Sequence, residues 1–144
     1  MLNEAAERYS AIFSDRDALC VSFDTSRDTR TGGSILRIDG ASAPTYDGCS
    51  AGEKRRIDII AALSLRALAR WRLASPINVA VWDEVLDPLD AAGIERAMTV
   101  LQRDLDELES VFVITHSDLV REAFPDAPVW HVIREHGISR LEIE

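Results

Sequence analysis

Apolar residues recur at helical spacing over residues 3–13, where Ala5, Ala6, Tyr9, Ile12 and Phe13 share a face. Ala18 to Phe23 then reads as a strand. A polar connection follows over residues 24–33, with Thr31-Gly32-Gly33 as its turn, and Ser34 to Ile38 reads as a second strand ending at Asp39-Gly40. The two predict an antiparallel pair. Residues 41–48 form a loop with Pro44 and Gly48 as breakers. The longest helix is predicted over Ala51 to Leu73. Ser50 and Glu53 have the spacing of a capping box at its start. Ile57, Ile60, Ala61, Leu63, Ser64, Leu68 and Trp71 supply its apolar face. Much of the rest of this helix is apolar too, which predicts burial on more than one side.

Ile77 to Trp82, after Pro76, is a nearly continuous apolar run, the pattern of a strand covered on both faces. Asp90 to Leu108 has the helical period, with Ile94, Ala97, Met98, Leu101, Leu105 and Leu108 on one face and Asp90 as N-cap. Val111 to Thr115 is another buried strand. Strand, helix, strand in this order predicts a βαβ unit with parallel strands and a right-handed crossover. Asp118 to Phe124 is a short helix stopped by Pro125. Val129 to Arg134 and Ile138 to Ile143 predict a hairpin about His136-Gly137. The predicted class is therefore α/β: a parallel βαβ core, an N-terminal antiparallel pair and a closing C-terminal hairpin, in a single domain over residues 1–144.

Composition narrows the reading. The 144 residues are 47% hydrophobic, enough for a real core. No apolar run approaches the roughly eighteen residues that span a bilayer. The N-terminus carries Glu4, Glu7 and Asp15 and lacks a signal pattern, so a cytoplasmic protein with no membrane partner is expected. Cys20 and Cys49 have no partner spacing and are expected as buried free thiols. The three histidines are too scattered for a zinc motif. A net charge of −9 argues against nonspecific coating of nucleic acid. Lys54, Arg55, Arg56, Arg66, Arg70 and Arg72 nevertheless concentrate positive charge in one stretch.

The chemistry-bearing residues follow the elements. Asp83 and Glu84 come directly after the first buried strand and His116 directly after the second. In a parallel sheet both positions open on the carboxyl edge, where ligands bind. An Asp-Glu pair there suits magnesium-nucleotide hydrolysis, one carboxylate holding hydrated Mg²⁺ and the other directing the attacking water. Ser50, Ala51, Gly52 and Glu53 at a helix start offer N–H groups and a positive dipole end to an anion. Each element alone has a plain structural explanation: a capping box, solvent-facing acids, a structural histidine. Their order together is far more specific. No Gly-x-x-x-x-Gly-Lys-Ser/Thr loop occurs in the chain, so the part that would grip the rest of a nucleotide is not here.

These residues resemble the C-terminal lobe of an ABC-type ATPase head, the C-terminal half of a P-loop NTPase. The nearest patterns are the chromosome-maintenance (SMC) proteins and the SbcC-like double-strand-break repair ATPases, including phage recombination-endonuclease subunits. Cys49-Ser50-Ala51-Gly52-Glu53-Lys54 is similar to the signature motif Leu-Ser-Gly-Gly-Glu-Lys/Arg, with Cys49 for leucine and Ala51 for the first glycine. Val79 to Glu84 resembles Walker B, Leu89-Asp90 the D-loop and Thr115-His116-Ser117 the His-switch. The resemblance implies ATP and Mg²⁺ as cofactors. Ser50, Ala51, Gly52, Glu53 and Lys54 would face a nucleotide on a second head in a homodimer. Asp83 would assist the metal, Glu84 would activate water, His116 would sense the γ-phosphate, and Asp90 would couple the two sites. Residues 1–15 would be the end of a coiled-coil arm. The implied partners are an N-terminal Walker A lobe, the second head, a nuclease subunit and DNA. The chain alone is expected to lack ATPase activity.

Two other readings remain at this stage. Asp83, Glu84, Asp87 and Asp90 have the composition of a two-metal nuclease cluster. Alternatively, the chain is a non-catalytic ABC-like module kept for dimerisation or interaction.

Overall fold

The computed structural model describes residues 1–14, 18–24, 36–73 and 78–143. The expected polar connection with its Thr31-Gly32-Gly33 turn, the start of the second strand at Ser34, and Pro76-Ile77 lie outside the described residues, as does the side chain of Leu105.

The first helix, α1 (Leu2–Phe13), buries Ala5, Ala6, Tyr9, Ser10 and Phe13. It packs along α2 (Ala51–Arg72) and beside β1 (Cys20–Phe23), which pairs antiparallel with β2 (Leu36–Asp39). Polar groups of α1 complete β1. The Val21 N–H donates to the Ser10 hydroxyl at 3.0 Å, and Asn3 exchanges two hydrogen bonds with the backbone of Phe23. Buried strand N–H and C=O groups need such partners. Here a helix supplies them where a further strand would otherwise have to.

One core joins the elements. Phe13, Val21, Ile57, Ile60, Val100, Leu101 and Val120 are almost wholly buried. On α2 the buried residues are Glu53, Ile57, Ile59, Ile60, Leu63 and Ser64, in its first half and centre. Trp71, expected on the apolar face, is exposed, as is Leu65. Cys49 is buried, whereas Cys20 is only half-buried; both are free thiols.

The predicted βαβ unit is present. β3 (Val79–Asp83) and β4 (Ser110–Ile114) are parallel neighbours in register from Val79↔Ser110 to Asp83↔Ile114. Between them runs α3 (Ala91–Glu107), which starts where the Asp90 carboxylate accepts from the Gly93 N–H at 2.8 Å. This is the N-cap read from the sequence.

The expectation that both strands are covered on two faces is corrected. Ala80 and Trp82 are buried, but Val81 is 59% exposed, and Val79, Phe112 and Ile114 are open as well. Alternate side chains of a strand point to opposite faces. One face therefore packs on the core and the other remains uncovered among the described residues.

After α4 (Asp118–Glu122), β5 (Trp130–Glu135) and β6 (Ile138–Ile143) form the closing hairpin. Its turn residues His136 and Gly137 have φ of 52° and 83°. Positive φ at both positions is the two-residue turn whose twist matches a hairpin. On one face Trp130 stands opposite Ile143, and Val132 opposite Leu141; all four are exposed. Trp130 meets Phe112 edge-on at 6.2 Å. The hairpin thus extends the open apolar face of β3 and β4.

Candidate functional site

The carboxyl ends of β3 and β4 bring the expected residues together. Glu84 follows β3 with a left-handed backbone, φ 51°, and its N–H donates to the Ile114 carbonyl at 2.8 Å. His116 follows β4. Its Nδ1 lies 3.6 Å from Glu84 Oε1 and 2.9 Å from Asp87 Oδ2. Asp83, Glu84 and His116 are all exposed, so they form an open rim.

Asp87 is the residue whose place in the site the sequence reading missed. Its Oδ1 accepts from the Thr115 hydroxyl, and its Oδ2 accepts from the His116 backbone N–H at 3.3 Å. The Thr115 oxygen accepts in turn from the Ser117 N–H at 3.0 Å. The only hint in the sequence is an acid three positions after Glu84 and a threonine next to His116. Neither pattern is specific.

The signature-like segment forms a second, compact unit. The Glu53 N–H donates to the Ser50 hydroxyl at 3.3 Å, and the Ser50 N–H donates to Glu53 Oε2 at 2.8 Å. This is the complete capping box. The same carboxylate accepts from the Ser42 N–H at 2.7 Å and from the Ser42 hydroxyl. Hydrogen bonds from Ser42 and then Ser50 hold the Glu53 carboxyl down at about 2. Lys54 donates to the Asp47 carbonyl at 2.9 Å, and the Cys49 thiol donates to the Ala43 and Thr45 carbonyls. Glu53, Lys54 and Cys49 therefore brace the loop from within. Ser50, Ala51 and Gly52 are the members that face outward. A Cβ added at Gly52 would meet nothing within 4 Å. Among the described residues nothing requires glycine there by steric contact.

The four acids of the nuclease reading do not converge on one point among the described residues. Asp90 caps α3, Asp87 holds Thr115 and His116, Glu84 approaches His116 at 3.6 Å, and Asp83 is exposed on the rim. Arg66 and Arg70 line a hollow of about 240 Å³ with Arg8 and Arg103, between α1, α2 and α3, where Arg70 pairs with Glu107. No rim residue lines it.

An open Asp-Glu pair suits a hydrated Mg²⁺, which keeps several waters and takes one or two carboxylates plus substrate phosphates. Among the described residues no group of three or more His, Cys, Asp or Glu side chains is placed to hold a metal ion. One or two carboxylates on an open rim are the protein's usual share of ligands for such an ion.

The parallel βαβ unit, the capped helix ahead of it and the closing hairpin have the fold of the C-terminal part of an SMC-type ATPase head. An SMC ATPase studied for ATP-driven dimerization and DNA-stimulated activation superposes with a TM-score of 0.73 at 17% identity, covering 99% of this chain and 83% of that one. The SMC head domain from Thermotoga maritima gives 0.62 at 22% identity, over 98% of this chain and 46% of that one. The Smc head with an extended coiled coil, bound to the C-terminal domain of ScpA, from Pyrococcus furiosus gives 0.65 at 21%, over 98% and 35%. In sequence the chain is similar to exonuclease subunit 2 of Escherichia phage RB69, 36% identical over 90 residues. That stretch is 62% of this chain and 16% of the phage protein, so the chain matches a minor part of its curated relative. No protein-family model matches the chain. No helix among the described residues is long and apolar enough to cross a membrane.

Proposed function

We propose that this chain is the C-terminal lobe of the ATP-hydrolysing head of an SMC/SbcC-like repair ATPase. The observation that carries the reading is the meeting of Glu84 and His116, 3.6 Å apart, on the carboxyl rim of two parallel strands. Asp83 assists Mg²⁺, Glu84 directs the attacking water and His116 answers the γ-phosphate. Ser50, Ala51 and Gly52 present the start of α2 to a nucleotide bound by a second head, while Glu53 and Lys54 keep that loop in shape. Asp90, besides capping α3, sits where the two heads meet.

Two further features support a site completed by other surfaces. The rim residues stand in the open, and an outward glycine has no steric reason among the described residues. The open apolar face of β3, β4 and the hairpin suits a covering Walker A lobe. Apolar area of this kind is stabilised by about 25 cal/mol per Å² when covered. By analogy with the phage exonuclease subunit, we assign the completed protein a nuclease partner and DNA.

The test is complementation. The chain alone should release no phosphate from ATP. Supplied with a Walker A lobe of the same class, in one polypeptide or as a second chain, it should hydrolyse ATP in the presence of Mg²⁺. Robust turnover by the pure chain, or none by the completed protein, would refute the reading. Mg²⁺-dependent DNA cleavage without ATP would favour the nuclease alternative.

A further inference from the structure

We propose that Asp87 is a positioning residue: its carboxylate keeps the His116 proton on Nδ1 and so leaves Nε2 for the substrate phosphate. This deepens the functional reading above and rests on it for the identity of the substrate.

Three observations carry the inference. The Asp87 side chain is only 10% exposed, although it belongs to the loop after β3. Its two oxygens are already engaged, Oδ1 by the Thr115 hydroxyl and Oδ2 by the His116 N–H. The same Oδ2 is 2.9 Å from His116 Nδ1. A carboxylate held at both oxygens keeps its orientation, so the negative charge next to Nδ1 is part of the scaffold. Glu84, the other acid near this nitrogen, is 3.6 Å away and 63% exposed.

Imidazole places its proton on either nitrogen, and a fixed acceptor beside one of them decides which. Beside Asp87, a proton on Nδ1 is attracted, whereas a bare Nδ1 would set its lone pair against a carboxylate. Nε2, on the far edge of a ring that is 77% exposed, is then the nitrogen offered outward. Thr115 gains a purpose in this arrangement. It braces the carboxylate and accepts from the Ser117 N–H, joining the start of α4 to the same network. Supporting acceptors of this type fix ring orientation and tautomer in metal sites, where losing one costs about 10- to 100-fold.

The experiment is long-range ¹H–¹⁵N correlation spectroscopy on the uniformly labelled 144-residue chain, which needs no nucleotide. It is run about two pH units above the ordinary histidine value of about 6.5. His116 should show a protonated Nδ1 and a bare Nε2. Asp87→Ala should move the proton largely to Nε2, with the His131 and His136 signals unchanged as a check on folding. Glu84→Gln should leave the tautomer as it was. A wild-type His116 protonated on Nε2 overturns the proposal without any variant. So does a tautomer that responds to Glu84→Gln and not to Asp87→Ala. In the completed ATPase, Asp87→Ala should lower kcat about 10- to 100-fold with KM for ATP changed by less than about threefold. An unchanged kcat would overturn the role in catalysis. Absence of any ATPase activity in the wild-type completed protein would instead refute the functional reading, and the tautomer result would stand apart from it.

Discussion

The backbone N–H of Glu84 donates to the carbonyl of Ile114 at 2.8 Å, one step beyond the last paired residues of β3 and β4. The bond ties the loop after one strand to the end of the next. It also accompanies a left-handed backbone at Glu84, which costs a non-glycine residue about 1–2 kcal/mol. The ladder and that loop together send the Glu84 side chain to the rim where His116 begins.

Glu84→Gln keeps the size of the side chain and removes the base. In the completed ATPase it should lower kcat by about 10²- to 10⁴-fold, the usual share of a general base. ATP-dependent pairing of heads should persist. Phosphate release and light scattering on the same samples check both. Hydrolysis at the normal rate would remove Glu84 from the mechanism.

Gly52 separates stability from assembly. Among the described residues nothing lies within 4 Å of the Cβ it lacks, and it sits in the first turn of α2. Gly52→Ala should therefore leave the chain as stable as before or raise its stability by up to about 1 kcal/mol, measured by denaturant melting. Gly52→Arg should fold equally well yet abolish ATP-driven pairing of completed heads. A variant that pairs normally would show that no second surface approaches here.

The open apolar face gives a similar contrast. Val81 and Phe112 are 59% and 44% exposed. Val81→Asp should change the stability of the chain alone by about 0.5 kcal/mol or less, the usual range for surface positions, whereas Phe112→Asp also loses the ring contact with Trp130 and should cost about 0.5–1.5 kcal/mol more. Both should weaken association with the Walker A lobe, read by co-purification or calorimetry. Leu101→Ala is the opposite control. Leu101 is fully buried, so the change should cost about 2–5 kcal/mol.

Glu53 links the signature-like loop to pH. Its folded value, about 2, lies below the ordinary 4.5. A carboxyl depressed by folding binds its proton more readily in the unfolded chain. Its stabilising contribution is present above about 4.5 and is lost as pH falls through about 2. The melting temperature should fall across that window. Glu53→Gln should flatten this part of the profile, and Ser42→Ala should do so partially. A profile of unchanged slope in Glu53→Gln would show that other acids govern it.

Local rules made much of this protein legible. The Ser50–Glu53 capping box, the Asp90 cap, the turn at His136-Gly137 and, to within one residue, the carboxyl ends of β3 and β4 all depend on residues a few positions apart. Their geometry is set by backbone periodicity and short-range hydrogen bonds. That Asp83, Glu84 and His116 should share an edge followed from a βαβ unit and nothing more. The rim and its likeness to SMC-type heads were therefore readable from the order of residues alone.

Other features were settled only when the chain closed on itself. Asp87 meets Thr115 and His116 because the register of two parallel strands carries their loops together, and no local pattern encodes that pairing. Ser42 reaches Glu53 because the loop over residues 41–48 turns back over the start of α2. The apolar run of β3 looked covered on both faces, yet Val79 and Val81 remain open while Ala80 and Trp82 are buried. Residue order determined which positions are apolar and which elements they form. Tertiary structure decided which of those positions are covered, because burial depends on the arrival of surfaces distant in the chain.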